Sequence, residues 1–121
     1  MIYWITGRAK SGKTTLAYEM ISGFKKEGKP VLLLDGDDVR EQFNNQDYSN
    51  FARTNHIMNI ANFAAIAEKQ GIIVIIALIS PIRSIRVKAR KLFQESILIY
   101  LSGGFLWKDT NYDEPTEEEL K

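Results

Sequence analysis

The 121-residue sequence contains no cysteine, which excludes disulfides, thiolate metal sites and a cysteine nucleophile and is compatible with a reducing compartment. An excess of either charge is also missing. The 16 Lys and Arg against 15 Asp and Glu leave a formal net charge of +1, too little to draw the whole chain to nucleic acid or to a membrane surface. Partners must then be recognised locally. The longest apolar run, GIIVIIALIS at 71–80, is half the roughly 20 residues needed to span a bilayer. No basic stretch followed by an apolar segment opens the chain. These absences point to a soluble, cytoplasmic protein that binds neither nucleic acid nor membrane. There is no internal repeat and no low-complexity segment, and the length suits one hydrophobic core, so a single domain over 1–121 is expected.

What is present alternates between two periods. Residues 2–6 (IYWIT), 31–35 (VLLLD) and 71–80 are short apolar runs that read as strands buried on both faces, and 96–101 (SILIYL) reads as a fourth strand. Between them, residues 13–26 place Leu16, Met20 and Phe24 on one side of a helix. A short helix is expected near Asp37–Phe43, with Asp38 as its cap, and a longer one from about Arg53 to Gln70, closed by Gly71. After Pro81, RSIRVKARKLF reads as a basic helix. Strands alternating with helices imply an α/β fold with a mostly parallel sheet of about four strands, layered as an α/β/α sandwich. The last stretch, 103–121, has no clear period.

Function is written most plainly in GRAKSGKT. Gly7, Gly12, Lys13 and Thr14 satisfy GxxxxGK[ST], directly after a strand and before a helix, which is the P-loop context. The glycines let the backbone approach phosphate, and amides from Arg8, Ala9, Lys10, Ser11 and Thr15 complete the cradle. Lys13 neutralises the β/γ oxygens, Thr14 is the expected Mg²⁺ ligand, and Lys10 is expected to be solvated. The second strand ends in LDGDDVR, which sets Asp35 and Asp37 two apart. If the chain were still extended there, both carboxylates would point the same way, toward the ligand crevice at the carboxyl ends of the strands. One could accept a proton from a substrate hydroxyl or hold a water on Mg²⁺.

Taken in order, GRAKSGKTTLA, LDGDDVR, Tyr48-Ser49 followed by Arg53, and ISPIRSIRVKAR resemble the adenylylsulfate kinases. These P-loop enzymes use ATP and Mg²⁺ to phosphorylate the ribose 3′-hydroxyl of adenosine 5′-phosphosulfate, a step of sulfate assimilation. The resemblance covers roughly 1–101 and implies a homodimeric cytoplasmic kinase acting on a small nucleotide. It implies Asp37 as the base at the 3′-hydroxyl, Arg40 and Arg53 on the phosphosulfate, and Tyr48 stacked on adenine. Ile79-Ser80-Pro81 would be the backbone turn that meets substrate. Ala52 stands where the family has aspartate, and His56 where it has a pocket asparagine; His56 is either an exposed helix residue or part of the pocket lining. On the basic helix, Arg83 is expected to reach an anion, while Arg86 and Arg90 are expected to be solvated.

The family's lid looks shortened to about residues 102–110. Either Trp107 and Lys108 replace its aromatic and its cation, or Phe105 and Trp107 plug the core. Residues 110–119 resemble a later family segment, and the chain is expected to stop short of the family's last strand and helix. Transfer to another nucleotide-linked acceptor, or nucleotide binding without transfer, are the alternatives these departures raise.

Overall fold

The computed structural model describes residues 1–105 and 111–120. Strands β1 (Ile2–Gly7), β2 (Val31–Asp35), β3 (Ile73–Leu78) and β4 (Ser96–Leu101) form one sheet in the order β2-β3-β1-β4. Every neighbouring pair is parallel. The intervening helices are α1 (Lys13–Lys26), α2 (Gly36–Gln42), α3 (Asn50–Lys69) and α4 (Arg83–Arg90).

Parallel strands need cover on both faces, and side-chain alternation divides the core accordingly. Ile2 and Trp4 of β1, Val74 and Ile76 of β3, and Leu98 of β4 pack with Ile57, Ile60, Ala61 and Ala64 of α3 and Ala89 of α4. On the opposite face, Ile5 and Ile75 pack with Ala17 of α1, and Leu16, Met20 and Phe24 close around them. The α/β/α layering follows from these two clusters.

Several boundaries differ from the sequence pattern, each for a local reason. α3 begins at Asn50 because the Ser49 hydroxyl caps it, accepting from Ala52 N at 3.3 Å. It ends at a left-handed Gly71 (φ 83), with Gly71 N and Ile72 N donating back to Glu68 O and Ala67 O. This is a Schellman closure, and β3 starts only after it. β2 is not buried on both faces as expected: it is an edge strand, and Leu32 is 38% exposed.

The C-terminal segment provides the largest correction. Residues 111–120 lie against the start of α4, with Asp113 N donating to Pro81 O at 2.6 Å. Arg86 is therefore not solvated but fully buried. Its Nε and Nη2 donate to the two carboxylate oxygens of Glu119 at 2.9 and 3.1 Å, and Nη1 donates to Ser80 O at 2.7 Å. Arg90 is half-buried and donates to Glu119 O at 2.6 Å. A guanidinium tolerates burial when its donors are met and its charge is paired, and the acidic tail supplies both. Phe105 does not plug the core either; it is 42% exposed, and its amide bonds Ala9 O at 3.0 Å. Trp107, Lys108 and Thr110 lie outside the described residues.

The two-faced core predicts unequal penalties. Ile60→Ala should cost about 2–5 kcal/mol in urea unfolding, whereas Leu32→Ala on the open edge should cost clearly less. Equal losses would contradict the edge position of β2.

Candidate active site

All four strands end at one edge of the sheet, where Thr6 pairs with Leu78, Gly7 with Leu101 and Asp35 with Ala77. Whatever follows these residues is gathered along that edge. β1 is interior to the sheet, so the glycine loop leaves from its middle. A Cβ at Gly7 would come within 2.6 Å of Leu101 O and 2.7 Å of Ser11 Oγ, so no larger residue fits.

The loop delivers the start of α1 with its amides uncapped. Gly12, left-handed at φ 100, occupies the N-cap without a side-chain hydrogen bond, and no acidic residue lies in the first turn. α2 and α3, by contrast, are capped by Asp35 and Ser49. An uncapped helix start with a lysine beside it is an anion site in the making. Lys13 bends over the loop, its Nζ donating to Gly7 O at 3.1 Å and Arg8 O at 2.8 Å. Burial lowers the pKa of Lys13, opposed by the charges of Asp37 and Asp35. Thr14 Oγ1 donates to Asp35 Oδ2 at 3.1 Å, so the hydroxyl and a carboxylate meet beside the loop. Lys10 is exposed, with Nζ 5.8 Å from the centroid of Phe105, and Thr15 is exposed in the first turn of α1.

The aspartate pair is arranged differently from the extended spacing expected. The strand stops at Asp35, and α2 begins at Gly36. Asp35 rather than Asp38 caps the helix, its Oδ1 accepting from Asp37 N at 3.0 Å and Asp38 N at 3.4 Å. Asp37 is thus in the first helical turn with its side chain exposed. The capping Asp35 satisfies two helix-start amides at once, which an extended chain could not do.

Beyond Asp37, the residues the resemblance implied for substrate form a cluster. The Arg40 guanidinium lies 4.4 Å from the Tyr48 ring centroid and that of Arg53 lies 6.0 Å from it. Arg40 also donates to Asp47 O at 3.0 Å. His56 is buried, not an exposed helix residue, and its Nε2 is 3.1 Å from Gly36 O. With a carbonyl as partner, Nε2 is the donor. Burial, then the charge of Arg40, holds the imidazole pKa below 6.5, while the Gly36 hydrogen bond and Asp37 oppose this.

At the end of β3, Ile79 O accepts from Thr6 Oγ1 at 2.7 Å, and Ser80 is buried at a left-handed φ of 42. Ser80 Oγ accepts from Trp4 Nε1 at 3.1 Å and is 2.8 Å from Thr6 Oγ1. Arg83 turns toward the tail, its Nη2 donating to Glu114 O at 2.8 Å and its Nε lying 3.2 Å from Glu119 Oε1. Sequence pattern gave no hint of Thr6, Trp4 or Tyr112 at this edge. A buried threonine in an apolar strand and a tryptophan in the middle of it read simply as core.

Comparison with known proteins adds a lineage to this geometry. The family model for adenylylsulphate kinase matches residues 1–105. An adenylyl-sulfate kinase of Prochlorococcus marinus is 39% identical over 97 residues, 79% of this chain and 48% of that protein. The chain thus spans about half the length of the curated relative it matches. Among solved structures, the Mycobacterium tuberculosis APS kinase CysC in complex with AMPPNP and APS superposes with a TM-score of 0.77 at 24% identity, over 83% of this chain and 61% of that one. The hexameric APS kinase from Thiobacillus denitrificans gives 0.77 at 27% identity, over 91% of this chain and 24% of that one.

The electrostatics yield two predictions. A lysine whose pKa is lowered loses its charge below the ordinary 10.5. Triphosphate affinity, followed calorimetrically, should therefore weaken as pH rises toward that value, and Lys13→Met should remove the dependence at a cost of roughly 1.5–3 kcal/mol. Constant affinity up to pH 10.5 would contradict it. For His56, the depressed folded pKa means that the unfolded chain binds the proton more readily. Its contribution to stability is present above 6.5 and lost as pH falls through the folded value. Urea midpoints at pH 7.5 and 5 should then differ less for His56→Asn than for the unaltered protein.

Proposed function

The chain belongs to the adenylylsulphate kinase family, and from that premise we propose that it transfers the γ-phosphoryl group of ATP to the 3′-hydroxyl of adenosine 5′-phosphosulfate. The observation that carries the reading is the common edge. The phosphate loop, Asp37 and the cluster of Arg40, Tyr48 and Arg53 all follow strand ends or helix starts there. A donor, a base and an anion clamp on one rim suit in-line transfer between two nucleotides.

In this mechanism the loop amides and Lys13 hold the β- and γ-phosphates. The acceptor oxygen forms its bond to Pγ as the bond to the β-phosphate oxygen breaks, and Asp37 takes the hydroxyl proton. Arg40 and Arg53 hold the phosphosulfate, and the Tyr48 ring stacks on adenine. Thr14 and Asp35 offer a hydroxyl and a carboxylate 3.1 Å apart, hard oxygen donors of the kind Mg²⁺ takes. They would hold that ion, directly or through water, and it would neutralise phosphate charge. The turn at Ile79 and Ser80 would line the acceptor side.

Residues 102–110 would serve as a shortened lid within a single kinase domain. The chain would work in the cytoplasm as a homodimer, supported by apolar side chains on the outer surface of α3, where Phe63 and Ile66 are 46% and 55% exposed. One observation favours a variant of this reading. His56 occupies the family's asparagine position, and its Nε2 is engaged with Gly36 O, so a different nucleotide-linked acceptor is the second candidate.

ADP release from ATP and Mg²⁺ should depend on added adenylylsulfate. Asp37→Asn should lower that turnover by about 10²- to 10⁴-fold and leave ATP affinity intact. Release with another nucleotide-linked acceptor alone would select the second reading. ATP binding without release in the presence of any acceptor would refute transfer.

A further inference from the structure

The segment 111–120 reaches both halves of the site. On the phosphate side, the Tyr112 hydroxyl is 2.8 Å from Thr6 Oγ1, the last side chain before the loop. The Tyr112 ring stacks on Tyr100, with centroids 6.0 Å apart, and the Arg8 guanidinium sits 5.0 Å from the Tyr112 centroid. Arg8, inside the loop, also donates to Tyr100 Oη at 2.9 Å and to Glu114 Oε1 at 3.1 Å. On the β3 side, Glu119 is 7% exposed and Arg86 is fully buried, and the two meet through a two-point contact.

Ser80 is the residue that most needs holding. A non-glycine residue at φ 42 is in a sparsely populated region and stays there only when its surroundings over-determine it. Its hydroxyl is held by Trp4 and Thr6, and its carbonyl accepts from Arg86 Nη1 at 2.7 Å. The two-point contact with Glu119 fixes the plane of the guanidinium and so aims Nη1 at that carbonyl. A side chain that has lost its carboxylate would turn toward water and release Ser80 O.

We infer that Glu119 is a positioning residue for the acceptor, acting through Arg86 on the Ser80 turn, and that residues 112–119 form a strap tying this turn to the phosphate loop. The inference rests on the reading above, in which the acceptor lies against the Ser80 turn. It assigns the two ends of the strap to different substrates: Glu119 to the acceptor and Glu114, through its ion pair with Arg8 in the phosphate loop, to the donor.

Two variants separate the ends. Glu119→Gln keeps the shape and one acceptor oxygen but removes the charge, and Glu114→Gln keeps the shape but removes the charge that pairs with Arg8. Glu119→Gln should raise KM for adenylylsulfate about tenfold, the equivalent of one well-aimed hydrogen bond, with KM for ATP changed by less than about twofold. Glu114→Gln should move KM for ATP and leave that for the acceptor. Amide exchange at residues 79–83 should quicken in Glu119→Gln and not in Glu114→Gln. A merely structural tail would move both KM values together in both variants, and that outcome, or unchanged values throughout, overturns the inference. If the unaltered protein shows no turnover with adenylylsulfate, the functional reading fails, and exchange decides the strap: faster exchange confined to 79–83 upholds it, and unchanged or chain-wide exchange overturns it.

Discussion

A strand that is apolar on both sides has to be covered on both sides, and β1 is such a strand. Ile2 and Trp4 face α3 and α4, while Tyr3 and Ile5 face α1. Its backbone is also paired along both edges, with β3 and with β4. Enclosed in this way, the chain can leave β1 only through the end of the sheet, which is where the glycine loop begins. The neighbouring strands end in register with it, so Asp35 and Ser80 arrive on the same side of the loop and Leu101 on the other. The site is thus a consequence of burying β1. The sheet alone brings the loop, the capping aspartate and the start of the β3 turn to one edge, and the tail then fixes the conformation of that turn.

This dependence explains what was legible in the sequence. Strand and helix periods are local, so 31–35 and 96–101 match the observed strands, and the start of α1 follows directly from the glycine loop. The fold class and the loop context were therefore readable from single stretches. Strand order was not, because the edge position of β2 depends on which strands flank it in space. The role of Asp35 was missed for a related reason: a strand-end carboxylate and a helix cap are the same residue type, and only the point where the chain turns distinguishes them. The basic helix was misread because its counter-charge, Glu119, lies 33 residues away from Arg86 in a segment with no period of its own. An i, i+3, i+7 row of arginines specifies a face and says nothing about what covers it.

The tail also shows how the chain uses a buried charge. An isolated guanidinium under the sheet edge would be severely destabilising, but Arg86 has Glu119, Ser80 O and Asp113 O around it. Replacing such a pair with apolar groups is often neutral for stability, so its contribution is better sought in geometry. Here it joins three pieces that the sheet itself leaves loose: the turn after β3, the first half of α4 and a segment without regular structure. The left-handed Ser80 lies at the centre of that junction. Strain of this kind persists where neighbours outvote it, and these neighbours come from β1, α4 and the tail.

The distribution of carboxylates then decides where an anion is drawn. Arg8, Arg83 and Arg86 are each in an ion pair with Glu114 or Glu119, and the main chain of Glu119 occupies Arg90. The positive face of α4 is in this way largely neutralised from within. Among the described residues, Arg40 and Arg53 form no ion pair; their guanidinium groups lie 4.4 and 6.0 Å from the centroid of the Tyr48 ring, and Arg40 donates to a main-chain carbonyl. A cation stacked on an aromatic ring keeps most of its charge available to a ligand, whereas one locked to a buried carboxylate does not. Arg83 would have to break its contacts with Glu114 and Glu119 before it could reach an anion, so under the proposed function the α2 and α3 side of the crevice would be where the acceptor's negative charge is met. On that reading α4 would hold the wall of the site through its pairing with the tail, and the asymmetry would separate binding from support along a single sheet edge.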